Sequence, residues 1–521
     1  LTAKVGRDLV TNGAVTTGQN FVATVGNNLT TNETVTTGSD FTATAGNDFT
    51  SNDKLAAGQN LVANVGNDFT TSGAVTTGSD FTANVGNNVT TNNIVTTGGD
   101  LVMAVKNDLT ANAAVLSHGR ATIDAQNIDL SADLASDKDF TITAKNNILM
   151  KEGANLSTKS DGRLKARSAS LGGDVRADGT LTVETDEQLT AQNITAGGEL
   201  NAKAQNITVS NAGAGSNAVL NAEAALTAQN ISAGGNAELN AGADLTANDV
   251  TAGADLNAKA VNITAQNITA GKATLNAGAE LSAKNVNVNG DASITAGTNL
   301  AAHDVSVGGD LNAQAQNITA TSVTGKGNAM LTADKDVTLA GAFSAKNNAR
   351  LTAGQNAKLG GKTDVGETLT AHIGKDLVTN GTVTTGKELI ANVGNDLAMN
   401  DLVSAGGSAS LTVGRNATLG GALTTGGNFT ANVAHDLTAN DAVTTGADFA
   451  VTVGNDAVTN GIVTTNGALK WNVGKDLTTN AAVLSHGRAT IDAQNVNFNA
   501  DFASDKNLTI TAKNNIFTKE G

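Results

Sequence analysis

Hydrophobic and polar residues alternate along this chain over short runs, and the runs break at glycine and asparagine. In Phe21-Val22-Ala23-Thr24-Val25, Phe21, Ala23 and Val25 fall on one side and Val22 and Thr24 on the other, the period of a β-strand. Leu9 and Val15 mark two shorter strands ahead of it. Between the strands stand Asn12-Gly13, Gly18-Gln19-Asn20 and Gly26-Asn27, turn residues able to take positive φ. The stretch from Asp8 to Asn27, DLVTNGAVTTGQNFVATVGN, is followed without insertion by NLTTNETVTTGSDFTATAGN, DFTSNDKLAAGQNLVANVGN and DFTTSGAVTTGSDFTANVGN, and two further units carry the pattern to Asn127. Each unit is too small to bury a core alone, so the repeat predicts stacked coils. Three strands and three turns per unit predict a triangular coil of about 20 residues in an all-β, parallel β-helix.

Stacking places like above like. One inward ladder reads Leu9, Leu29, Phe49, Phe69, Val89, Leu109; a second Val15, Val35, Leu55, Val75, Val95, Val115; a third Phe21, Phe41, Leu61, Phe81, Leu101, Ala121. Asn27, Asn47, Asn67, Asn87, Asn107 and Asn127 form a column whose amides are expected to bond to the residue above and below. No unit shows apolar residues at i, i+3, i+4, i+7, and Thr, Asn and Gly form helices poorly. At ~4.8 Å between strands, roughly 26 coils would make a rod on the order of 125 Å.

The strict step holds to residue 127 and loosens from Ile128 to Lys151-Glu152-Gly153. Residues 154–188 are richer in charge but keep the alternation at Leu164, Ala166, Leu181 and Val183, so they read as altered coils. From Leu189 a second style begins, LTAQNITAGGELNAKAQNIT, with Ala, Ile and Leu in place of Phe and Val and a variable step, expected from turns of different length. At Leu369 the chain starts again: LTAHIGKDLVTNGTVTTGKELIANVGNDL matches LTAKVGRDLVTNGAVTTGQNFVATVGNNL from Leu1, and the match runs ungapped to Lys519-Glu520-Gly521. The organisation is therefore a regular block 1–153, a less regular spacer 154–368 and a second block 369–521, read as one continuous solenoid.

Composition narrows the function. The net charge of −16 argues against nucleic acid and against anionic membrane surfaces. No run of 18 apolar residues would span a bilayer in this segment. Charged residues are only 15% and Pro is absent, which argues against disorder. Without Cys there is no disulfide and no thiol chemistry. The chain opens at Leu1-Thr2-Ala3-Lys4 and stops in mid-pattern, which predicts a piece of a longer protein.

The unit with L-x-x-N, V-x-x-G and D-F-x-A-x-V-G-N resembles the haemagglutinin repeat of filamentous haemagglutinin-like exoproteins, the two-partner-secreted adhesins and contact-dependent growth-inhibition proteins of Gram-negative bacteria. The resemblance covers nearly the whole chain. It implies a right-handed helix, export through a partner outer-membrane transporter, and secretion or display at the cell surface. The amino-terminal secretion domain and carboxy-terminal toxin of that family are not recognisable here. The implied role is a structural shaft that projects distal binding or toxin modules.

Two rival readings compete with the shaft. In one the segment itself contacts a host or bacterial receptor, with Lys159, Arg163, Lys165, Arg167 and Arg176 as candidate contacts because they interrupt an acidic rod. The other is a polysaccharide-processing enzyme, which needs clustered carboxylates on an outer face. Asp40, Asp80 and Asp100 share one turn column and Asp8, Asp48, Asp68 and Asp108 another, and solvated turn acids are the simpler reading of both. Ser117-His118-Gly119-Arg120…Asp124 occurs twice and reads as a shape-changing corner in preference to a triad. His118, His303, His372, His435 and His486 lack ligand spacing, and Gly98-Gly99-Asp100, Gly172-Gly173-Asp174 and Gly308-Gly309-Asp310 form no calcium-binding nonapeptide series. No catalytic residue, metal or cofactor is expected. Asn28-Leu29-Thr30, Asn193-Ile194-Thr195 and Asn267-Ile268-Thr269 are glycosylation triplets that an Asn- and Thr-rich chain generates by chance. Trp471, at the position of Met103 in the first block, is expected to point inward.

Overall fold

The structure is a computed structural model that describes residues 1–519. Glu520 and Gly521, which close the second block, lie outside the described residues. Every regular element among the described residues is a β-strand, and strands pair in parallel between one coil and the next, as in Phe41–Ala45 on Leu61–Val65. The chain is a parallel β-solenoid. It divides into two units, Leu1–Val261 and the residues from Asn262 on, so that the division falls inside the spacer.

In the first unit the regular coils carry three strands each, such as Leu29–Thr31, Val35–Thr37 and Phe41–Ala45. Their partners stand 20 residues on: Leu29 faces Phe49, Val35 faces Leu55 and Phe41 faces Leu61. All three predicted ladders are buried from the second coil onward, and the phenylalanines stack within them. The Phe49 and Phe69 rings lie 5.0 Å apart, and Phe69 meets Phe81 edge-on at 6.3 Å. Threonine joins the core too. The short strands turn their first and third residues inward, so Thr31, Thr37, Thr77 and Thr97 are buried. Thr37, Thr77 and Thr97 donate their hydroxyls to the carbonyls of Ser39, Ser79 and Gly99. The branched methyl fills the wall while the hydroxyl bonds to its own turn.

The turn glycines do not use their capacity for positive φ. Among the described residues only Gly153 has positive φ, at 81°. At Gly38, Gly58, Gly78 and Gly98 a Cβ would press into the carbonyl oxygen of the glycine one coil back. Close backbone approach between stacked turns, not left-handed geometry, selects glycine there.

Irregularity has a structural cause as well. From Ala121 the step falls to 19 as the third strand of one coil runs into the first strand of the next to give Ala121–Leu130. Around the loop 151–155 it rises to 22, with Phe140 opposite Gly162. From Ser168–Ala177 onward the first and second strands of a coil merge instead, through a register shift between Leu171 and Asp174. Removing a corner shortens the coil, and steps of 18 and 19 follow at Leu189–Ile207 and Ile207–Leu226. A bulge replacing a turn, and not only turns of different length, sets the variable step.

The second unit begins in the merged style, with Ile263 opposite Leu281 and Leu281 opposite Leu300. It returns to separate short strands and a 20-residue step at Val337, which faces Ala357. Trp471 is 1% exposed, set between Val451 and Ile491, with Phe449 edge-on at 5.2 Å.

Candidate functional site

The five basic residues of 154–188 do not form one patch. Arg163 and Lys165 point outward from Gly162–Ala166, Arg176 stands on Ser168–Ala177, and Lys159 and Arg167 sit in turns. Four of them meet carboxylates. Lys159 Nζ lies 2.7 Å from Asp137, Arg163 3.0 Å from Glu184, Arg167 2.7 Å from Glu187 and Arg176 3.0 Å from Asp178. Lys165 forms no ion pair among the described residues, although Glu184 is its register neighbour. Hydrogen bonds from Lys159 and then His118 hold the Asp137 carboxyl below its ordinary range. The Arg167 guanidinium does the same to Glu187, which in turn raises Arg167. These exposed pairs add little to stability, but they cancel most of the positive field that would draw an anionic receptor.

The acidic columns are structural. The Oδ1 atoms of Asp8, Asn28, Asp48, Asp68 and Asn88 each accept the backbone N–H of the residue 20 further on, at 3.0–3.2 Å. The column through Asn20, Asp40, Asn60, Asp80 and Asp100 repeats the arrangement up to the N–H of Arg120. Each side chain therefore caps a turn of the coil above, where no strand partner exists for that N–H. Asp and Asn alternate freely because only the shared carbonyl-type oxygen is used.

The Asn27 column is corrected by the same geometry. Asn27, Asn47, Asn67, Asn87 and Asn127 donate to Asp8, Asn28, Asp48, Asp68 and Asp108, the neighbouring column of the coil below. Among these six residues only Asn107 donates its side-chain amide to its like, Asn87, although from Asn47 onward the backbone N–H bonds to the carbonyl of the like residue one coil back. Like-to-like amide bonds run instead through Asn12, Asn32 and Asn52, at 2.7 and 2.8 Å. The sequence signal for it was the recurrent T-N at the end of the first strand.

The duplicated Ser-His-Gly-Arg corner separates its polar groups. Ser117 is buried and donates to Gly99 O and Arg120 O, whereas His118 faces solvent and meets Asp137 at 2.8 Å. Ser485 and His486 repeat this, with Asp505 at 2.7 Å. The serine ends its strand facing the core, the histidine stands in the bend that follows facing solvent, and no hydrogen bond joins the two. The His–Asp pairs themselves, 19 residues apart, had no signature in a single coil. Among the described residues no three His, Cys, Asp or Glu side chains gather as for a metal ion.

The remaining candidates are ladder members. Gly172 and Gly173 form the bulge in Ser168–Ala177, and Asp310 Oδ1 accepts the N–H of Asn328. Asn193 donates to Asp174 and accepts from Asn211. Asn28 and Asn267 accept amides from Asn47 and Asn285. On the wall of the second unit an open furrow of about 490 Å³ is bordered by Thr274, Asp291, Ser293, Asp310, Asn312 and Met330.

No family model matches the chain, and neither a curated protein nor a solved structure matches it. The class rests on the parallel strand register and the repeat: a parallel β-solenoid whose fold fits a structural shaft or an adhesin.

Proposed function

We propose that this chain is a structural shaft of a filamentous haemagglutinin-like exoprotein at the surface of a Gram-negative bacterium. It would be secreted through a partner outer-membrane transporter, with coils of right-handed sense, and would carry binding or toxin modules away from the cell. The carrying observation is that polar columns which could have served chemistry are engaged in coil-to-coil hydrogen bonds, at Asp48, Asp68 and Asp80 among others. Such ladders stiffen a stack whose coils each touch only their neighbours. The duplication of a block by 368 residues supports the same reading, since repeating coils lengthens a shaft and duplicates no single active centre. We read the segment as non-enzymatic, supported by the burial of Ser117 in the core while His118 faces solvent and pairs with Asp137.

The test is reach. An epitope placed beyond this segment in the displayed exoprotein should lose access to a bulky antibody as whole coils are removed, while secretion persists. Access that does not depend on coil number would refute the shaft.

A further inference from the structure

At an Asn-Gly pair the backbone can attack its own side chain, because glycine has no Cβ to block the approach. The chain holds five: Asn12-Gly13, Asn289-Gly290, Asn380-Gly381, Asn460-Gly461 and Asn466-Gly467, and each asparagine is exposed. Reactivity needs a free glycine N–H and an untied amide. The N–H of Gly290 bonds to Gly271 O at 2.6 Å and that of Gly467 to Ala447 O at 2.9 Å, so both nitrogens are committed to the coil below. The other three asparagines each follow a first strand, and the N–H of Gly13, Gly381 and Gly461 has no hydrogen-bond partner among the described residues. The like-to-like amide ladder then separates these three. Asn460 donates to Asn440 at 3.0 Å and accepts from Asn480 at 2.7 Å, so its amide is held from below and from above. Asn380 only accepts, from Asn400 at 2.9 Å, because the residue beneath it is Gly360, which offers no side-chain acceptor. Asn12 also holds one bond, from Asn32, but it lies in the first coil, where terminal fraying adds to any chemistry.

We propose that Asn380 is a site of self-modification, at which the folded chain deamidates through a cyclic imide. The Gly381 nitrogen gives its proton to water and bonds to the side-chain carbonyl carbon of Asn380. The Cγ–Nδ2 bond breaks, and ammonia leaves with the proton returned from water. Water then opens the ring at either carbonyl, to aspartate or to isoaspartate. One water is consumed, one ammonia is released and nothing is oxidised. Both products place a new carboxylate at the corner. Isoaspartate also routes the main chain through the side-chain carbon and lengthens it by one atom between Thr379 and Gly381. The corner has no slack for that atom. Leu377–Thr379 is paired to a strand in the coil on either side, and a Cβ on Gly381 would come within 2.4 Å of the Gly361 carbonyl carbon. The product therefore loosens one coil near the start of the second block, while the doubly held Asn460 persists.

The test incubates the full, folded chain in mildly alkaline buffer and follows each Asn-Gly peptide by mass spectrometry. Asn380 should convert at least about fivefold faster than Asn460, the effect of one amide hydrogen bond on the barrier. Asn289 and Asn466 should lag behind Asn380. Asn440→Ala removes the acceptor under Asn460 and should bring its rate up to that of Asn380, with circular dichroism unchanged. Equal rates at Asn380 and Asn460 in the parent chain, fastest conversion at Asn289 or Asn466, conversion of Asn380 only in urea, or an Asn460 rate unmoved by Asn440→Ala would each overturn the proposal. The comparison within the parent chain needs no variant to fold. The shaft reading survives any of these results, because it is tested by reach.

Discussion

Phe69→Ala probes the stacked aromatic core of the first unit. Phe69 is fully buried, lies flat against Phe49 at 5.0 Å and meets the edge of Phe81 at 6.3 Å. Removing a buried phenylalanine ring costs about 3–5 kcal/mol. Its two ring contacts, at about 0.5–1.5 kcal/mol each beyond burial, place this site at the upper end of that range. In a solenoid the loss stays local, because a coil gains stability mainly from the coils on either side. Native-state hydrogen exchange should therefore quicken by about a thousandfold in Phe49–Ser51, Phe69–Thr71 and Val89–Thr91, since each 1.4 kcal/mol is tenfold in the opening equilibrium. Distant coils such as Val183 and its neighbours should not respond. Thr70→Ala, facing out from the same strand, should change exchange by less than about 0.5 kcal/mol. Equal effects of the two substitutions, or a uniform change along the chain, would refute the stacked-coil energetics.

Asp68→Ala should cost about 1–3 kcal/mol by orphaning the N–H of Asn88, whereas Asp68→Asn, which keeps the accepting oxygen, should be nearly neutral in urea melts. Acid should weaken the fold through carboxylates held low. Asp53 is lowered by the N–H of Lys54 and the Thr34 hydroxyl, and Asp8 by the N–H of Asn28 and the Asn27 amide. Because their folded values lie below the ordinary 3.8, their contribution is complete above that pH and is lost as pH falls through the lower folded values. Urea midpoints measured from about pH 6 to pH 2 should show it, with a smaller acid loss in Asp53→Asn. Trp471→Met restores the residue of the first block, loses the Phe449 contact and removes an indole N–H that is buried without a partner. These terms oppose each other at about 1 kcal/mol apiece, so a thermal midpoint within a few degrees of the parent is expected. A drop as large as that of Trp471→Ala would contradict it.

The coil was legible because its signal is repeated: a two-residue period, a 20-residue step and three aligned ladders leave few alternatives. The inward course of Trp471 followed from the alternation alone. What was not legible depends on relations between coils. A glycine that avoids the turn below looks in sequence like a glycine needed for positive φ, and Gly38 shows which it is. The partner of Asn47 is Asn28 and not Asn27, because the side chain leans one residue across the stack. Merged strands such as Ala121–Leu130 leave only a one-residue change in spacing as their trace. The candidate cations at 159–176 were visible as an interruption of acidity, but their carboxylate partners come from adjoining coils or turns and are hidden in linear order.

Whole-coil deletion tests the central claim most directly. Removing residues 49–68 joins Asp48 to Phe69 and keeps every ladder in phase, so the shortened chain should retain its far-ultraviolet circular dichroism per residue and a cooperative urea transition. Removing only residues 49–58 takes two strands from one coil, throws the remaining ladders out of register and should abolish the transition in that region. An in-phase deletion that unfolds the protein, or an out-of-phase deletion that is tolerated equally well, would contradict the account.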